Sequence, residues 1–120
     1  DLVRSRGLGD VYKRQTIPFG KQLGWVIPEH LEHRWHLLLG ESVKVIPHVL
    51  KEVGPVDLFF HDSRHTYRTM MKEYKMIWPR LVEGGLLLSH DVQLNDAFLD
   101  FCDEVGRMPV LTCDIGAVMR

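Results

Sequence analysis

The sequence predicts an α/β fold in which parallel strands carry helices on both faces and the chain closes with a C-terminal antiparallel hairpin. Three observations support this prediction. Two short apolar runs, 57–61 and 86–89, each end in acidic and imidazole side chains, and one helix's length of chain separates them. Two further short apolar segments lie close together near residue 120. A strand–helix–strand order of this kind builds a parallel sheet, whose carboxyl edge is where ligands bind.

The composition is that of one globular domain of modest size. The chain has 120 residues, 45% of them hydrophobic and 26% charged, with a formal net charge of −1. This charge balance predicts neither a nucleic-acid partner nor a membrane partner, and no apolar stretch is long enough to span a bilayer. Cys102 and Cys113 fit no disulfide or metal-site pattern, so we interpret them as reduced core thiols of a cytoplasmic protein. The oligomeric state is left open, a homo-oligomer included.

Residues 1–15 differ from the rest of the chain. They show neither helical nor alternating periodicity and are rich in Arg and Gly. The stretch 10–15, DVYKRQ, resembles the translated sequencing-adapter read-through found at the ends of metagenomic gene models. Residues 1–15 are therefore predicted to be a non-native or disordered tail, and residues 16–120 to carry the domain. The alternative is a natural, basic, disordered arm.

Apolar runs and the positions of Gly and Pro predict the secondary structure of the first half of the chain. Residues 16–27 are predicted to be loop, and residues 29–33 a helical turn. Residues 34–39 form a short apolar strand that ends at a glycine. A helix is predicted over 47–53, with Pro47 in its first turn, where proline is tolerated.

The central part of the chain contains the strand–helix–strand unit. Residues 57–61 are apolar on both faces, as expected for a buried parallel strand. The helix predicted over 66–81 has Pro79 in its final turn. A tight turn at 83–85 and a buried strand at 86–89 follow. The positions at helical spacing that we expect to pack on the sheet are Met70, Met71, Tyr74, Ile77 and Trp78.

The last third of the chain predicts a helix and a hairpin. The helix covers 95–105 and ends at a glycine, with Phe98, Phe101 and Cys102 facing inward. The strands 109–112 and 117–120 are joined by a short connection, which implies an antiparallel pair.

Two motifs together resemble a known family. Asp57 to Tyr67 (DLFFHDSRHTY) and Glu83 to Asp91 (EGGLLLSHD), with the helix end Trp78 to Leu81 between them, resemble class I S-adenosylmethionine-dependent methyltransferases. Within that family the chain is similar to small-molecule O-methyltransferases with an Asp-x-x-His-x-Tyr segment after the fourth strand. The resemblance implies a partial Rossmann-like methyltransferase sheet, S-adenosylmethionine as cofactor, and a hydroxylated small molecule, such as a sugar or a secondary metabolite, as substrate.

The resemblance covers only the C-terminal half of such a domain. The family's first strand with its glycine-rich turn, and the acid that ends the second strand, are expected upstream of Thr16. Residues 16–18 are interpreted as the last trace of that second strand. The chain is therefore expected to be a fragment of a methyltransferase and to be inactive alone.

The resemblance also assigns a cofactor site. Gly40, Glu41 and Ser42 follow the strand 34–39, where the family recognises the adenine ring, and Glu41 would accept from its exocyclic amine. Asp62 is assigned to the same cofactor site. Without the resemblance, residues 40–42 are better interpreted as a plain strand-to-helix turn that Ser42 caps.

Two strand ends supply a candidate metal site. Asp62 and Asp91 follow neighbouring strands, and their carboxylates suit Mg²⁺, which could share a substrate hydroxyl. Related metal-dependent methyltransferases have a third oxygen ligand beside the second strand end, where this chain has His90. Imidazole favours a softer divalent ion or a role as a base. The alternative is that the two carboxylates cap the following helices.

His65 is the predicted catalytic base, because it lies one turn past Asp62 and imidazole accepts protons near neutral pH. His90 is the second candidate. Tyr67 orients His65, lines the substrate pocket or belongs to the core. His61 is interpreted as a core imidazole with satisfied hydrogen bonds.

Two other functions remain compatible with the residues. A metal-dependent hydrolase would use the Asp and His side chains at the strand ends to hold a nucleophilic water. A non-catalytic half-domain would expose a sheet edge and could only associate with other chains.

Overall fold

The structure, a computed structural model, describes residues 18–120 and the backbone of residues 2–6. Most of the predicted tail, and the predicted remnant of a strand at 16–17, lie outside the described residues. Residues Leu2–Arg6 form a strand, β1, that pairs in parallel with β2, Trp35–Leu39. No regular structure was predicted for these residues, since five residues with two arginines carry little periodicity. The proposed foreign origin of 1–15 stays a prediction.

The other strands form one sheet of four. They are β3 (Val56–His61), β4 (Leu81–Ser89), β5 (Val110–Thr112) and β6 (Ile115–Met119), and their spatial order is β3-β4-β6-β5. The pair β3 and β4 is parallel, whereas β6 runs antiparallel to both β4 and β5. The predicted α/β class, with a parallel strand pair and a C-terminal antiparallel hairpin, is thereby confirmed. Strand β2 pairs with β1 and forms a separate two-stranded sheet.

Three α-helices connect the strands. They are α1 (Ser42–Glu52), α2 (Tyr67–Ile77) and α3 (Ala97–Val105). Short 3₁₀ turns cover Glu29–Arg34, Trp78–Arg80 and Val92–Leu94, so the predicted helical turn at 29–33 and the proline-containing final turn after α2 are both confirmed. Within the described part of the chain, no helix is both long enough and apolar enough to cross a membrane.

Helix α2 forms as its periodicity predicts. Thr66 is its N-cap, and the Thr66 hydroxyl oxygen accepts a hydrogen bond from the Thr69 backbone N–H. Its apolar positions are buried against the sheet, and Trp78 packs edge-on against Phe101 of α3. One charged residue, Glu73, lies on the same buried face.

Helix α3 and its end also follow the prediction. Phe98, Phe101 and Cys102 are fully buried, and Gly106 ends the helix in the left-handed conformation that glycine favours. The prediction that both cysteines lie in the core is wrong for Cys113. That residue is exposed in the turn between β5 and β6.

Helix α1 begins earlier than predicted. Pro47 lies in its interior and not in the first turn. Proline lacks the N–H that would donate to the Val43 carbonyl, but its ring is exposed, so the helix loses one hydrogen bond without a clash in the core. The helix starts at Ser42 because Ile46 and Leu50 bury one face of this longer segment.

Strand β3 is not buried on both faces as predicted. It is an edge strand of the four-stranded sheet, and Leu58 and Phe60 are 49% and 47% exposed. Its outer edge has no strand partner among residues 2–6 and 18–120. An apolar run shows that both faces can be buried, but the presence of a covering layer depends on other elements.

The predicted tight turn at 83–85 is wrong. These residues lie inside β4, which begins at Leu81. Val56 pairs with Leu81 while Leu58 pairs with Leu86, so β4 accommodates extra residues in a bulge opposite a single residue of β3. Gly84 permits this bulge with a φ of +77°.

Candidate active site

The carboxyl ends of β3 and β4 lie side by side. His61 pairs with Ser89 at the end of the parallel register, and the His90 backbone N–H donates to the His61 carbonyl over 2.9 Å. The loops that start at Asp62 and at His90 therefore leave the same edge of the sheet. Four side chains on these loops, Asp62, His65, His90 and Asp91, are called the sheet-edge cluster below.

The sheet-edge cluster brings two imidazole rings between two carboxylates. His65 Nε2 lies 3.8 Å from Asp62 Oδ1 and 3.6 Å from Asp91 Oδ2. His90 Nδ1 lies 3.5 Å and 3.3 Å from the same two oxygen atoms. The sequence analysis expected these four side chains at one sheet edge, and the structure places them together.

Local backbone geometry holds the cluster in place. Asp91 has a φ of +55°, a left-handed conformation that is uncommon outside glycine and is often retained at functional sites. The Asn95 side chain donates to the His65 carbonyl over 3.2 Å and accepts from the Ala97 N–H over 3.0 Å. Asn95 thus ties the loop of His65 to the start of α3.

The capping alternative for the two aspartates is not supported. Thr66 caps α2, and the first N–H of α3 is bonded to Asn95. Asp91 precedes a 3₁₀ turn but makes no side-chain capping bond there. The carboxylates of Asp62 and Asp91 instead face the two imidazoles.

Two nitrogen atoms in the cluster are buried and have no hydrogen-bond partner among the residues that the structure describes. They are His65 Nε2 and His90 Nδ1, the atoms that face the two carboxylates. A buried polar atom without a partner costs free energy unless a further group binds it. Asp62, His65 and His90 also have ligand atoms close enough together to hold a metal ion. The donor set therefore fits a divalent cation.

One residue of the site was missed by the sequence analysis. Asp114, in the turn between β5 and β6, has Oδ2 2.9 Å from His90 Nε2, and Asp114, His90 and Asp91 form a second group with metal-ligand spacing. Asp114 reaches the site because β6 pairs with β4 and Gly116 lies opposite Ser89. Only the length of the hairpin connection could have indicated this position.

The turn Gly40-Glu41-Ser42 also reaches this side of the molecule. Glu41 precedes α1 and pairs with Lys44 at 2.6 Å, and this cation lowers the pKa of its carboxyl. Ser42 is buried and donates to the Glu73 carboxylate, so it does not cap α1. The capping alternative for residues 40–42 is therefore wrong.

A buried polar network lies beneath the cluster and is centred on Glu73. Ser42 and Ser63 both donate to Glu73 Oε1, the latter over 2.7 Å, and His61 Nε2 lies 3.6 Å from Oε2. Burial and the neighbouring His65 lower the pKa of His61 to about 4, so this imidazole is neutral at pH 7. His61 is thus the core imidazole that was predicted.

Glu73 links the turn of Ser42 to the loop of Ser63, and burial penalises its charged form. Desolvation raises the pKa of its carboxyl, although the Ser42 and Ser63 hydroxyls partly offset that effect. The sequence contains a signal for this residue, because Glu73 lies at helical spacing between Met70 and Ile77 on the apolar face of α2.

We expect the Glu73→Gln variant to be more stable than the wild type at pH 8, by about 1 kcal/mol, since it removes a buried charge and keeps an acceptor for both serines. A raised folded-state pKa of an acid makes wild-type stability fall as pH rises through that value. The advantage of the variant should therefore shrink as pH falls toward about 4.5. Urea unfolding at both pH values measures this, and an advantage that grows at low pH would contradict it.

Tyr67 lies at the start of α2 and its hydroxyl donates to Asp100 of α3 over 2.8 Å. That hydrogen bond raises the pKa of the phenol. The side chain is about half exposed, so it is not a core residue, and its hydroxyl is bonded to Asp100.

The chain was compared with known families and proteins. The family model of a methyltransferase domain matches residues 1–92. No curated protein sequence matches the chain.

Several solved structures share the fold. One is the MycE methyltransferase of the mycinamycin biosynthetic pathway in complex with Mg and SAH, with a TM-score of 0.67 and 12% identity over 98% of this chain and 44% of that one. CalS11, a TDP-rhamnose 3′-O-methyltransferase of calicheamicin biosynthesis, matches with a TM-score of 0.59 and 15% identity over 75% of this chain and 43% of that one.

A third is an O-methyltransferase from Bacillus cereus in complex with SAH, with a TM-score of 0.56 and 12% identity over 76% of this chain and 53% of that one. The chain thus spans about half or less of the length of each of these proteins. At such low identities the structures confirm the fold, whereas the family match covers most of the sequence. The chain belongs to the family of methyltransferase domains.

Proposed function

We propose that the protein carrying this chain is an S-adenosylmethionine-dependent O-methyltransferase that acts on a hydroxyl group of a small molecule, such as a sugar or a secondary metabolite. The observation that carries the proposal is the sheet-edge cluster, in which two imidazoles and two carboxylates converge at the ends of two parallel strands. Family membership supports methyl transfer, and the cluster supports a hydroxyl as the acceptor.

The solved structures support the choice of acceptor. MycE has been determined with Mg, SAH and mycinamycin VI, and CalS11 acts on TDP-rhamnose. CalS11 is thus described as a methyltransferase of a nucleotide sugar, and MycE as bound to a small molecule of its biosynthetic pathway. We infer the same class of acceptor here, a soluble small molecule encountered in the cytoplasm, and no nucleic-acid partner.

His65 is proposed as the base. Its Nε2 is buried, has no hydrogen-bond partner, and faces the space between Asp62 and Asp91. It can take the proton of an acceptor hydroxyl, and the two carboxylates within 3.8 Å then stabilise the imidazolium that forms. S-adenosylmethionine supplies the methyl group, whose carbon–sulfur bond breaks as the new carbon–oxygen bond forms.

Asp62, His90 and Asp91 are proposed to hold a divalent metal ion. A bound ion lowers the pKa of an acceptor hydroxyl and fixes its orientation. The chain's own contribution is to keep His90 Nδ1 3.5 Å from Asp62 Oδ1 and 3.3 Å from Asp91 Oδ2, on loops that Asn95 and the β-sheet register hold in place.

Gly40, Glu41 and Ser42, together with Asp62, are proposed to form the part of the cofactor site that this chain contributes. Glu41 is exposed and pairs with Lys44 at the surface, so its carboxylate can exchange that partner for the exocyclic amine of adenine. The Ser42 hydroxyl donates a hydrogen bond to the buried Glu73 carboxylate, which holds the turn in place. Tyr67 would line the substrate pocket, beside α3.

The test is an assay of methyl transfer by the protein that carries this chain, with sugars, nucleotide sugars and glycosylated metabolites as acceptors. We expect one S-adenosylhomocysteine for each methyl ether formed, detected together by mass spectrometry. Release of product from ester or phosphate substrates without S-adenosylmethionine would instead establish the hydrolase. Failure of every acceptor, with S-adenosylmethionine neither bound nor consumed, would overturn the proposal.

A further inference from the structure

His90 differs from the other residues of the sheet-edge cluster because both of its ring nitrogen atoms face carboxylates. Nε2 lies 2.9 Å from Asp114 Oδ2, which is a normal length for a charge-assisted hydrogen bond. Nδ1 lies 3.3 Å and 3.5 Å from Asp91 and Asp62 and makes no hydrogen bond. The ring proton therefore belongs on Nε2, where it is donated to Asp114.

This arrangement leaves the lone pair of His90 Nδ1 directed at Asp62 and Asp91. A carboxylate behind a histidine is the usual means by which proteins orient a metal-ligating imidazole and increase its basicity. Asp114 is held beside His90 by the two-residue turn between β5 and β6. In that turn Cys113 adopts a left-handed conformation with a φ of +49°. The ion would then be bound by at least one nitrogen and two carboxylates.

Nitrogen ligands discriminate between divalent ions. Mg²⁺ prefers oxygen ligands only and keeps several waters, whereas imidazole suits Zn²⁺, Co²⁺ and similar ions. His65 Nε2, a second unpartnered nitrogen, faces the same two carboxylates from the other loop, which makes the surroundings of the ion richer in nitrogen.

The geometry points to a sheet-edge site that is selective for a borderline transition-metal dication, with Zn²⁺ and Co²⁺ as its representatives, over Mg²⁺. His90 is the residue that determines this selectivity, and Asp114 is the positioning residue that acts through it. The inference rests on the metal site of the proposed function and commits that site to the softer class of ion, which the sequence left open beside Mg²⁺.

The test measures metal affinity directly, without reference to turnover. The purified chain is stripped of metal, and the dissociation constants of Zn²⁺ and Co²⁺ are determined by competition with a chromogenic chelator, and that of Mg²⁺ by calorimetry. His90→Glu replaces the nitrogen by a carboxylate. The matched control is His48→Glu, which makes the same exchange at an exposed histidine of α1 that belongs to neither metal-spacing group.

We expect His90→Glu to lower the ratio of Zn²⁺ affinity to Mg²⁺ affinity by at least roughly tenfold, and His48→Glu to leave that ratio unchanged. Asp114→Ala should weaken Zn²⁺ and Co²⁺ binding by about 10- to 100-fold while Mg²⁺ binding changes little, because only an imidazole ligand depends on Asp114. In the Co²⁺ form, the visible absorption bands should shift in His90→Glu, since a nitrogen ligand is lost.

The outcomes separate this inference from the proposed function. Metal binding with a ratio that His90→Glu does not change would overturn the selectivity and leave a metal-dependent methyltransferase in place. No binding of Zn²⁺, Co²⁺ or Mg²⁺ to the wild-type chain at millimolar concentration would overturn the metal site itself, and the selectivity with it. An equal loss of Zn²⁺ and Mg²⁺ affinity in Asp114→Ala would assign that residue a structural role only.

Discussion

Replacing His65 by alanine is expected to lower kcat for methyl transfer by about 10²- to 10⁴-fold in the protein that carries this chain, the range associated with loss of a general base. His65 Nε2 is buried, without a hydrogen-bond partner, and between two carboxylates that would stabilise its protonated form. His90 cannot replace it, because its Nε2 is bonded to Asp114 and its Nδ1 faces the proposed metal position.

The pH profile distinguishes a lost base from a disturbed structure. The pH profile of kcat should change in the His65→Ala variant, because the variant lacks the group that accepts the proton of the acceptor hydroxyl. Metal affinity of the variant, measured as for His90→Glu, shows whether the metal site persists. His48→Ala serves as the control for removal of an exposed histidine. An unchanged rate and pH profile in His65→Ala would remove the base assignment.

A Gly116→Ala substitution is expected to destabilise the fold by about 3 kcal/mol, the upper end of the range for overpacking a core. Gly116 is buried in β6, and a Cβ atom there would lie 2.7 Å and 2.8 Å from Cδ1 and Cζ of Phe98. Phe98 is fully buried beneath Tyr74, so its ring has no free space in which to move. The strand or α3 must shift instead.

A double-mutant cycle tests this cause. Phe98→Leu alone should cost stability by creating a cavity, but in Phe98→Leu/Gly116→Ala the smaller side chain makes room for the methyl group. The combined loss should therefore be smaller than the sum of the single losses. Urea unfolding followed by tryptophan fluorescence, to which Trp78 beside Phe101 contributes, reports each value. Additive losses, or an unchanged unfolding midpoint in Gly116→Ala, would show that the close approach does not limit stability.

Local patterns in the sequence were sufficient to predict most of the helices and strands. The spacing of Met70, Tyr74 and Ile77 predicts α2, and Gly106 predicts the end of α3, because each depends only on residues within a few turns. The proximity of Asp62 and Asp91 could also be predicted. A βαβ unit makes its two strands parallel, so both strands end at the same edge of the sheet.

The errors concern features that depend on distant parts of the chain. The exposure of Leu58 and Phe60 depends on whether another layer covers β3, which an apolar run does not specify. The bulge at Gly84 depends on its pairing with Arg120. Asp114 joins the site only through the pairing of β6 with β4, so no local pattern around His90 indicated it.

The sheet-edge cluster could serve either a metal-dependent hydrolase or a methyltransferase. The cluster alone therefore does not distinguish these two functions. Family membership over residues 1–92 favours the methyltransferase, and the fold of the solved structures agrees with it. A non-catalytic role for the isolated chain stays compatible with the open edge of β3 among the described residues. The activity must therefore be measured in the protein that carries the chain.

The most direct test of the central claim is a comparison of labelled methyl transfer by the wild type and by Asp91→Asn at saturating S-adenosylmethionine and acceptor. Asparagine tolerates the left-handed backbone of Asp91, so the substitution removes the charge and keeps the loop. We predict that the wild type transfers the label to an acceptor hydroxyl, and that Asp91→Asn binds S-adenosylmethionine equally well but transfers about 100-fold more slowly. Equal transfer rates in the two proteins would contradict the account, because the sheet-edge cluster would then not be the site of the reaction.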